Sequence, residues 1–373
     1  MRLIFLFLFA LSSFVLLVPA GEASMNGRSS TQASPSFIKT DSSAIDKIVQ
    51  SHVEQHHFSG TILIAQSGRV TYHQSFGPAD VRTGEAIQNT SKHGVASITK
   101  LFTSIRVLQL VESERLALTQ TVAELLPALR VPNAEKITVH HLLLHISGLP
   151  NEPDALYLQK RTPQEMLSKT LHRSSSSDIG AFNYNNIDYI LLGLIIEKTT
   201  GIAWHQDIQD QILDPLGMED TGFLSLGQYP DRFCYPYTLS GDKTTKHPDP
   251  SFYIENYYAA GNMYATASDL LKLDQALYGT DLLGEAMYAL LATSYPEHGY
   301  AGYGVWNYQY PFSATYPLVM ERRGGIRGSN VVLVRLPETK HTLIILSNND
   351  QFNPDSFGDS TNLREALITA ITG

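Results

Sequence analysis

A single cysteine, Cys234, is all the sequence contains, so no disulfide can form within the chain and the fold must stand on its core. The aromatic setting "RFCYPY" marks that thiol as a packing residue rather than a nucleophile. Basic runs are absent as well. The 373 residues carry a formal charge of −9, which removes the electrostatic footprint that nucleic-acid binding requires, and no nucleic-acid partner is expected. The motif Gly-x-Ser-x-Gly occurs nowhere, which excludes an α/β-hydrolase nucleophile elbow. No internal repeat is present, and beyond the N-terminus no apolar run approaches membrane-spanning length; "YILLGLIIE" stops at nine residues. What remains, 43% hydrophobic and 17% charged residues, is the composition of a globular chain with a sizeable core.

The N-terminus is different. "MRLIFLFLFALSSFVLLVPAGEASM" has one basic residue, a 16-residue hydrophobic run from Leu3 to Val18, and small residues around Ala20 and Ala23. That is the layout of a secretory signal over residues 1–23, cleaved after Ala20 or Ala23, and it predicts an exported protein, periplasmic or secreted. Left uncleaved, the same segment would hold the protein at a membrane. Residues 24–40, "SMNGRSSTQASPSFIKT", are Ser-rich without apolar period and read as a flexible leader. The folded domain is expected over 41–373.

Within it, "DSSAIDKIVQSHVEQHH" has helical spacing, and "GTILIAQSGRVTYHQSFG" reads as two strands joined at Ser67-Gly68. The middle is helical: "TVAELLPAL", "TVHHLLLHISG", "TPQEMLSKTL" and "NIDYILLGLIIEKTTG", the last closed by Gly201. The tetraserine Ser174–Ser177 reads as a surface loop. Strand patterns return in "YPLVMERRGG", "SNVVLVRLPE" and "HTLIILSNND", and "TNLREALITAIT" ends the chain as a helix. Strands at both ends around a helical middle predict an α+β domain, one sheet built from the two termini with a helical subdomain inserted.

Ser-x-x-Lys occurs three times. Ser36 with Lys39 lies in the leader, and Ser240 with Lys243 in a turn-like stretch. Only Ser97 with Lys100, in "VASITKLFTS", opens an apolar helix, whose Ile98, Leu101, Phe102, Ile105 and Leu108 would hold the first turn inside. One helical turn apart, the two side chains share a face. Burial favours the neutral amine of Lys100, and the helix N-terminus favours negative charge at Ser97, so the pair reads as a nucleophile with a proton acceptor, or else as a capping Ser with a snorkelling Lys. In "FNYNNIDY", Tyr184-x-Asn186 is the one Tyr-x-Asn of the chain; the phenol can relay a proton, and the amide can orient substrate or Lys100. In "ERRGGIRG", strand period two puts Arg322 and Gly324 on one face. A cation there can hold a substrate carboxylate, and the Gly325 N–H with the Ser97 N–H can form an oxyanion hole.

Ser-x-x-Lys, Tyr-x-Asn and cation-x-Gly in that order resemble the serine β-lactamase and penicillin-binding protein family, in its class C β-lactamase and D-alanyl-D-alanine carboxypeptidase branch. "ITVHHLLLHISGLP", "ILDPLGMEDTGF", "AAGNMYATASDLLKL" and "FSGTILIAQSGRV" resemble it too. The resemblance implies an antiparallel sheet flanked by terminal helices, a packed helical subdomain, and acylation of Ser97 by an amide or ester. Lys100 and Tyr184 would share the general-base and proton-return roles, without a cofactor. The chain departs from the family at Arg322-Arg323-Gly324, where Lys-Thr-Gly or His-x-Gly is usual. Two rival readings stand beside this one. "HHLLLH" offers His140, His141 and His145 to a metal, but lacks the zincin Glu and an evident third ligand, so no metal is expected. A catalytically weak or inactive member of the fold would instead bind peptidoglycan fragments or assemble with partners.

Overall fold

The computed structural model describes residues 42–173 and 177–373. The expected signal, the leader with its Ser36–Lys39 pair, Asp41 and the first three serines of the tetraserine lie outside them.

Alternating apolar residues at each end of the chain make one sheet with two buried faces. Helix α1 (Ser42–His56) leads into the hairpin β1 (Gly60–Gln66) and β2 (Arg69–Phe76), turning at Ser67-Gly68 as expected. Helix α2 (Thr99–Glu112) and helix α3 (Ile187–Thr200) belong to the inserted middle. The chain returns to the sheet as β3 (Trp306–Gln309), β4 (Leu318–Ile326), β5 (Ser329–Leu336) and β6 (His341–Ser347), and closes with α4 (Leu363–Thr372). The order β3-β4-β5-β6-β1-β2 is antiparallel throughout, with Ile62 opposite Ile345 and Gly325 opposite Asn330. Two chain ends thus meet at the β6–β1 seam.

Period two sorts the strand residues between two cores. Ile62, Ile64, Val332, Val334 and Ile345 pack under α1 and α4 with Ile45, Val49, Leu367 and Ile371. Leu63, Val331, Leu333, Ile344 and Leu346 face the helical subdomain. There α3 is buried from Ile187 through Ile196, which is why its sequence is apolar all round rather than striped. Gly193 lets α3 approach the segment Ile254–Ala260, since a Cβ would lie 2.4 Å from the Tyr258 ring and 2.6 Å from Ala259 Cβ.

Sequence and structure differ over smaller elements. "TVAELLPAL" and "TVHHLLLHISG" keep only Val122–Leu125 and Val139–Leu143 as α-helix, each opened by a Thr capping box. A short second sheet, ordered Gly222–Phe223, Met263–Ala265, Lys92–Gly94 and Phe233–Cys234, was not foreseeable from strands of two or three residues. Cys234 packs there with Ala79 and Ile87, its thiol pushed up to about 12 by burial, as a packing residue should be.

Candidate active site

The short sheet delivers the nucleophile. Lys92–Gly94 pairs with Met263–Ala265, and the Val95 N–H donates to the Met263 carbonyl at 2.9 Å. Ala96 then turns sharply, with φ of 46°, a conformation that costs a residue bearing a Cβ roughly 1–3 kcal/mol. Ser97 follows in a single 3₁₀ turn that runs into α2. Its side chain caps no helix; it faces a cleft of about 570 Å³ shared with Phe182, Tyr184, Trp306, Arg323 and Gly325.

Lys100, fully buried, spends its three donors on three acceptors: Ser97 Oγ at 3.1 Å, Asn186 Oδ1 at 2.7 Å and the Ala260 carbonyl at 2.8 Å. The Tyr184 hydroxyl donates to Ser97 Oγ at 2.9 Å from the other side. Asn186 is fixed in turn, its amide donating to Glu152 Oε1 at 2.7 Å, which also accepts from Tyr157 at 2.6 Å. The structure therefore brings Ser97, Lys100, Tyr184 and Asn186 together, with the amide on the lysine.

Arg322 occupies another place than the expected carboxylate anchor. Only 2% exposed, it donates from Nε to the Ser97 carbonyl and from Nη2 to the Tyr184 hydroxyl, both at 2.7 Å. Its charge is directed at the phenol. The guanidinium that lines the cleft is that of Arg323, which the sequence reading passed over; it lies 4.4 Å from the Trp306 ring centroid and pairs with Glu321 and Asp355.

These contacts set the protonation of the site. Burial lowers the Lys100 amine to about 8, against the opposing pull of Tyr184 and with help from Arg322. Burial pushes the Tyr184 phenol up, but Arg322 and then Lys100 outweigh it and bring it down to about 8. The two groups share one proton balance around the Ser97 hydroxyl. Next to them His145 is fully enclosed, its ring centroid 4.4 Å from that of Tyr184, and burial holds the imidazole well below its usual range. Burial likewise pushes the Asp188 carboxyl, 3.4 Å from His145 Nδ1, well above the usual carboxylate range.

Gly324 and Gly325 both line the cleft on the strand beside Ser97. A Cβ on Gly324 would come within 2.7 Å of the Val95 carbonyl and 3.0 Å of Ser97 N, so only glycine lets β4 lie this near the nucleophile. Gly325 lines the cleft together with Ser97. The three histidines of the metal reading diverge: His140 meets Tyr303 at 2.6 Å, His141 completes the cap at Thr138, and His145 is enclosed beside Tyr184. Glu152, Trp306 and Asp355 carried no local signal, since each comes from a separate segment, whereas Arg323 stood within the quoted motif beside Arg322.

The sequence model of the Beta-lactamase family matches residues 45–368. A penicillin-binding protein of Bacillus subtilis is 27% identical over 321 residues, 80% of this chain and 70% of that protein. Among solved structures, the octameric penicillin-binding protein homologue of Pyrococcus abyssi superposes with a TM-score of 0.75 at 24% identity, covering 88% of this chain and 77% of that one. The D-amino acid amidase of Ochrobactrum anthropi gives 0.75 at 23%, covering 88% and 98%. At those identities the structures establish a common fold, and with the match along nearly the whole described domain the chain belongs to the Beta-lactamase family, as a serine hydrolase of that fold.

Proposed function

We propose that the protein is an exported hydrolase that opens amide or ester bonds through an acyl-enzyme on Ser97. One observation carries the reading: Ser97 Oγ lies between Lys100 Nζ and the Tyr184 hydroxyl, at 3.1 and 2.9 Å, inside a cleft. With Lys100 or Tyr184 deprotonated, the Ser97 hydroxyl gives up its proton to that base while Oγ bonds to the substrate carbonyl carbon. The Ser97 and Gly325 N–H groups receive the developing oxyanion. Collapse breaks the bond to the leaving amine or alcohol, which takes the proton. Water then adds to the acyl carbon, its proton returns through the same groups, and the acid leaves with Ser97 restored.

The substrate class is narrower than "carbonyl compound". A carboxylate on the substrate would meet Arg323, whose partner Asp355 is 77% exposed and therefore exchangeable, since such surface pairs are worth about 0–1 kcal/mol. The similarity to a penicillin-binding protein and to an amidase supports amides as substrates. Treatment with a fluorophosphonate or a penicillin should add one acyl or phosphonyl group to Ser97, and none to Ser97→Ala. Side-by-side rates for nitrocefin, a D-Ala-D-Ala peptide and p-nitrophenyl acetate then assign the substrate class. Folded protein that takes no adduct and hydrolyses none of the three would leave the peptidoglycan-binding reading instead.

A further inference from the structure

A neutral amine has two N–H bonds and one lone pair, and it serves as a base only if the lone pair faces the proton it must take. Around Lys100 Nζ stand Ser97 Oγ, the Ala260 carbonyl and Asn186 Oδ1. The two carbonyl oxygens can only accept, so they take the two N–H bonds and leave the lone pair to the Ser97 hydroxyl. That outcome depends on the amide of Asn186. Turned over, it would offer its own N–H groups to the lone pair and occupy the base.

A side chain from another segment decides which end of the amide faces Lys100. Asn186 Nδ2 donates to Glu152 Oε1 at 2.7 Å, and a carboxylate has no hydrogen to give to an inverted amide. Glu152 is itself held. It precedes Pro153, which restricts its backbone to extended forms, and the turn Asp154–Leu158 follows. From that turn the Tyr157 hydroxyl donates to the same Oε1 at 2.6 Å, while its ring stacks on Tyr257 with centroids 4.0 Å apart. Glu152 Oε2 is enclosed and has no hydrogen-bond partner among the described residues. The carboxylate favours the ammonium form of Lys100, against Arg322, which disfavours it.

We propose that Glu152 is a positioning residue for Lys100: by orienting the Asn186 amide it aims the lone pair of the amine at Ser97, and its charge counters that of Arg322. The proposal rests on the acyl-serine reading above. Besides Arg322 and Glu152, Tyr184 and Tyr189 face the amine, their ring centroids 5.0 and 5.6 Å from Nζ, with His145 and Asp188 near it. Tyr157 and Tyr257 face Glu152. Glu152→Gln alters none of these groups. It removes one charge at nearly constant shape, and because an amide can donate as well as accept, it no longer enforces the direction of Asn186.

The test follows kcat/KM for p-nitrophenyl acetate against pH in the full chain. In Glu152→Gln the high-pH plateau should fall about tenfold or more, as misdirection of a catalytic group costs. The rate at pH 7, taken as a fraction of that plateau, should rise about twofold or more, because loss of the negative charge favours the free amine. Glu152→Asp keeps the charge but withdraws it by one methylene, so its plateau should fall while the fraction at pH 7 stays at the wild-type value. A fraction that does not rise in Glu152→Gln, or a plateau that survives in both variants, overturns the proposal. Titration of the Lys100 Cε resonance in protein carrying carbon-13 lysine, assigned by its loss in Lys100→Met, reads the amine without turnover. Its midpoint should move to lower pH in Glu152→Gln, and no movement also overturns the proposal. A midpoint that moves in folded protein hydrolysing no ester sustains the role of Glu152 at the amine and overturns the hydrolase reading alone.

Discussion

Lys100 and Tyr184 meet the same hydroxyl, and what distinguishes them is the charge placed beside the phenol. The reactive state lacks one proton on the pair, so kcat/KM should rise with pH and level off above an apparent value near 8. The Arg322 cation lowers both groups. Removing it in Arg322→Met should raise both, move the rising limb to higher pH, and cut the rate at pH 7 for esters and carboxylate substrates alike. Arg322→Lys should keep most of the original limb. A pH–rate profile of Arg322→Met that rises where the wild type does would show that the guanidinium does not tune the pair. Asp355 belongs to a different side of the cleft. Asp355→Asn releases Arg323 Nη1 while Nε stays on Glu321, so KM for carboxylate-bearing substrates should fall several-fold while KM for p-nitrophenyl acetate stays put; equal changes on both would remove Arg323 as an anion contact.

At the scale of elements, catalysis depends on how near β4 lies to the turn before α2. Gly324→Ala would put a methyl against the Val95 carbonyl and Ser97 N, and the strand must retreat by some tenths of an ångström. Loss of one well-placed oxyanion donor costs about 10²–10³ in kcat, so a fall of that order is expected with the circular dichroism spectrum unchanged. Turnover within threefold of wild type would mean that Gly325 N–H does not serve the oxyanion. This geometry also shows what was readable beforehand. Ser97 and Lys100 announce themselves because a lysine within an apolar helical pattern is locally anomalous, and Tyr184-x-Asn186 because it precedes a helix too apolar to be exposed. Ala260, 160 residues from Lys100, supplies only a backbone carbonyl and leaves no mark in side-chain chemistry. Arg322 and Arg323 were read in the right strand, but pattern alone could not say which of two adjacent guanidinium groups reaches the phenol.

The whole molecule joins a sheet made from its two ends to an inserted helical body, an architecture legible in the order of strand and helix patterns. Its tertiary ties were not, because a buried ion pair needs two residues that only the fold brings together. Arg106 of α2 and Asp207 are such a pair, with side chains 7% and 1% exposed, Nε to Oδ2 at 2.5 Å and Nη2 to Oδ1 at 3.1 Å. The bidentate contact fixes the helix that begins beside Ser97 against the helix Trp204–Ile208. Breaking it in Arg106→Met leaves the Asp207 carboxylate buried without its cation, which should cost about 3–5 kcal/mol in denaturant unfolding. Arg106→Met with Asp207→Leu replaces both charges by apolar groups and should regain most of that loss, since desolvation of the pair is removed along with its attraction. If the single variant loses less than about 1 kcal/mol, or the double variant is no better than the single, the two helices are held together by their apolar contacts and the ion pair adds only orientation.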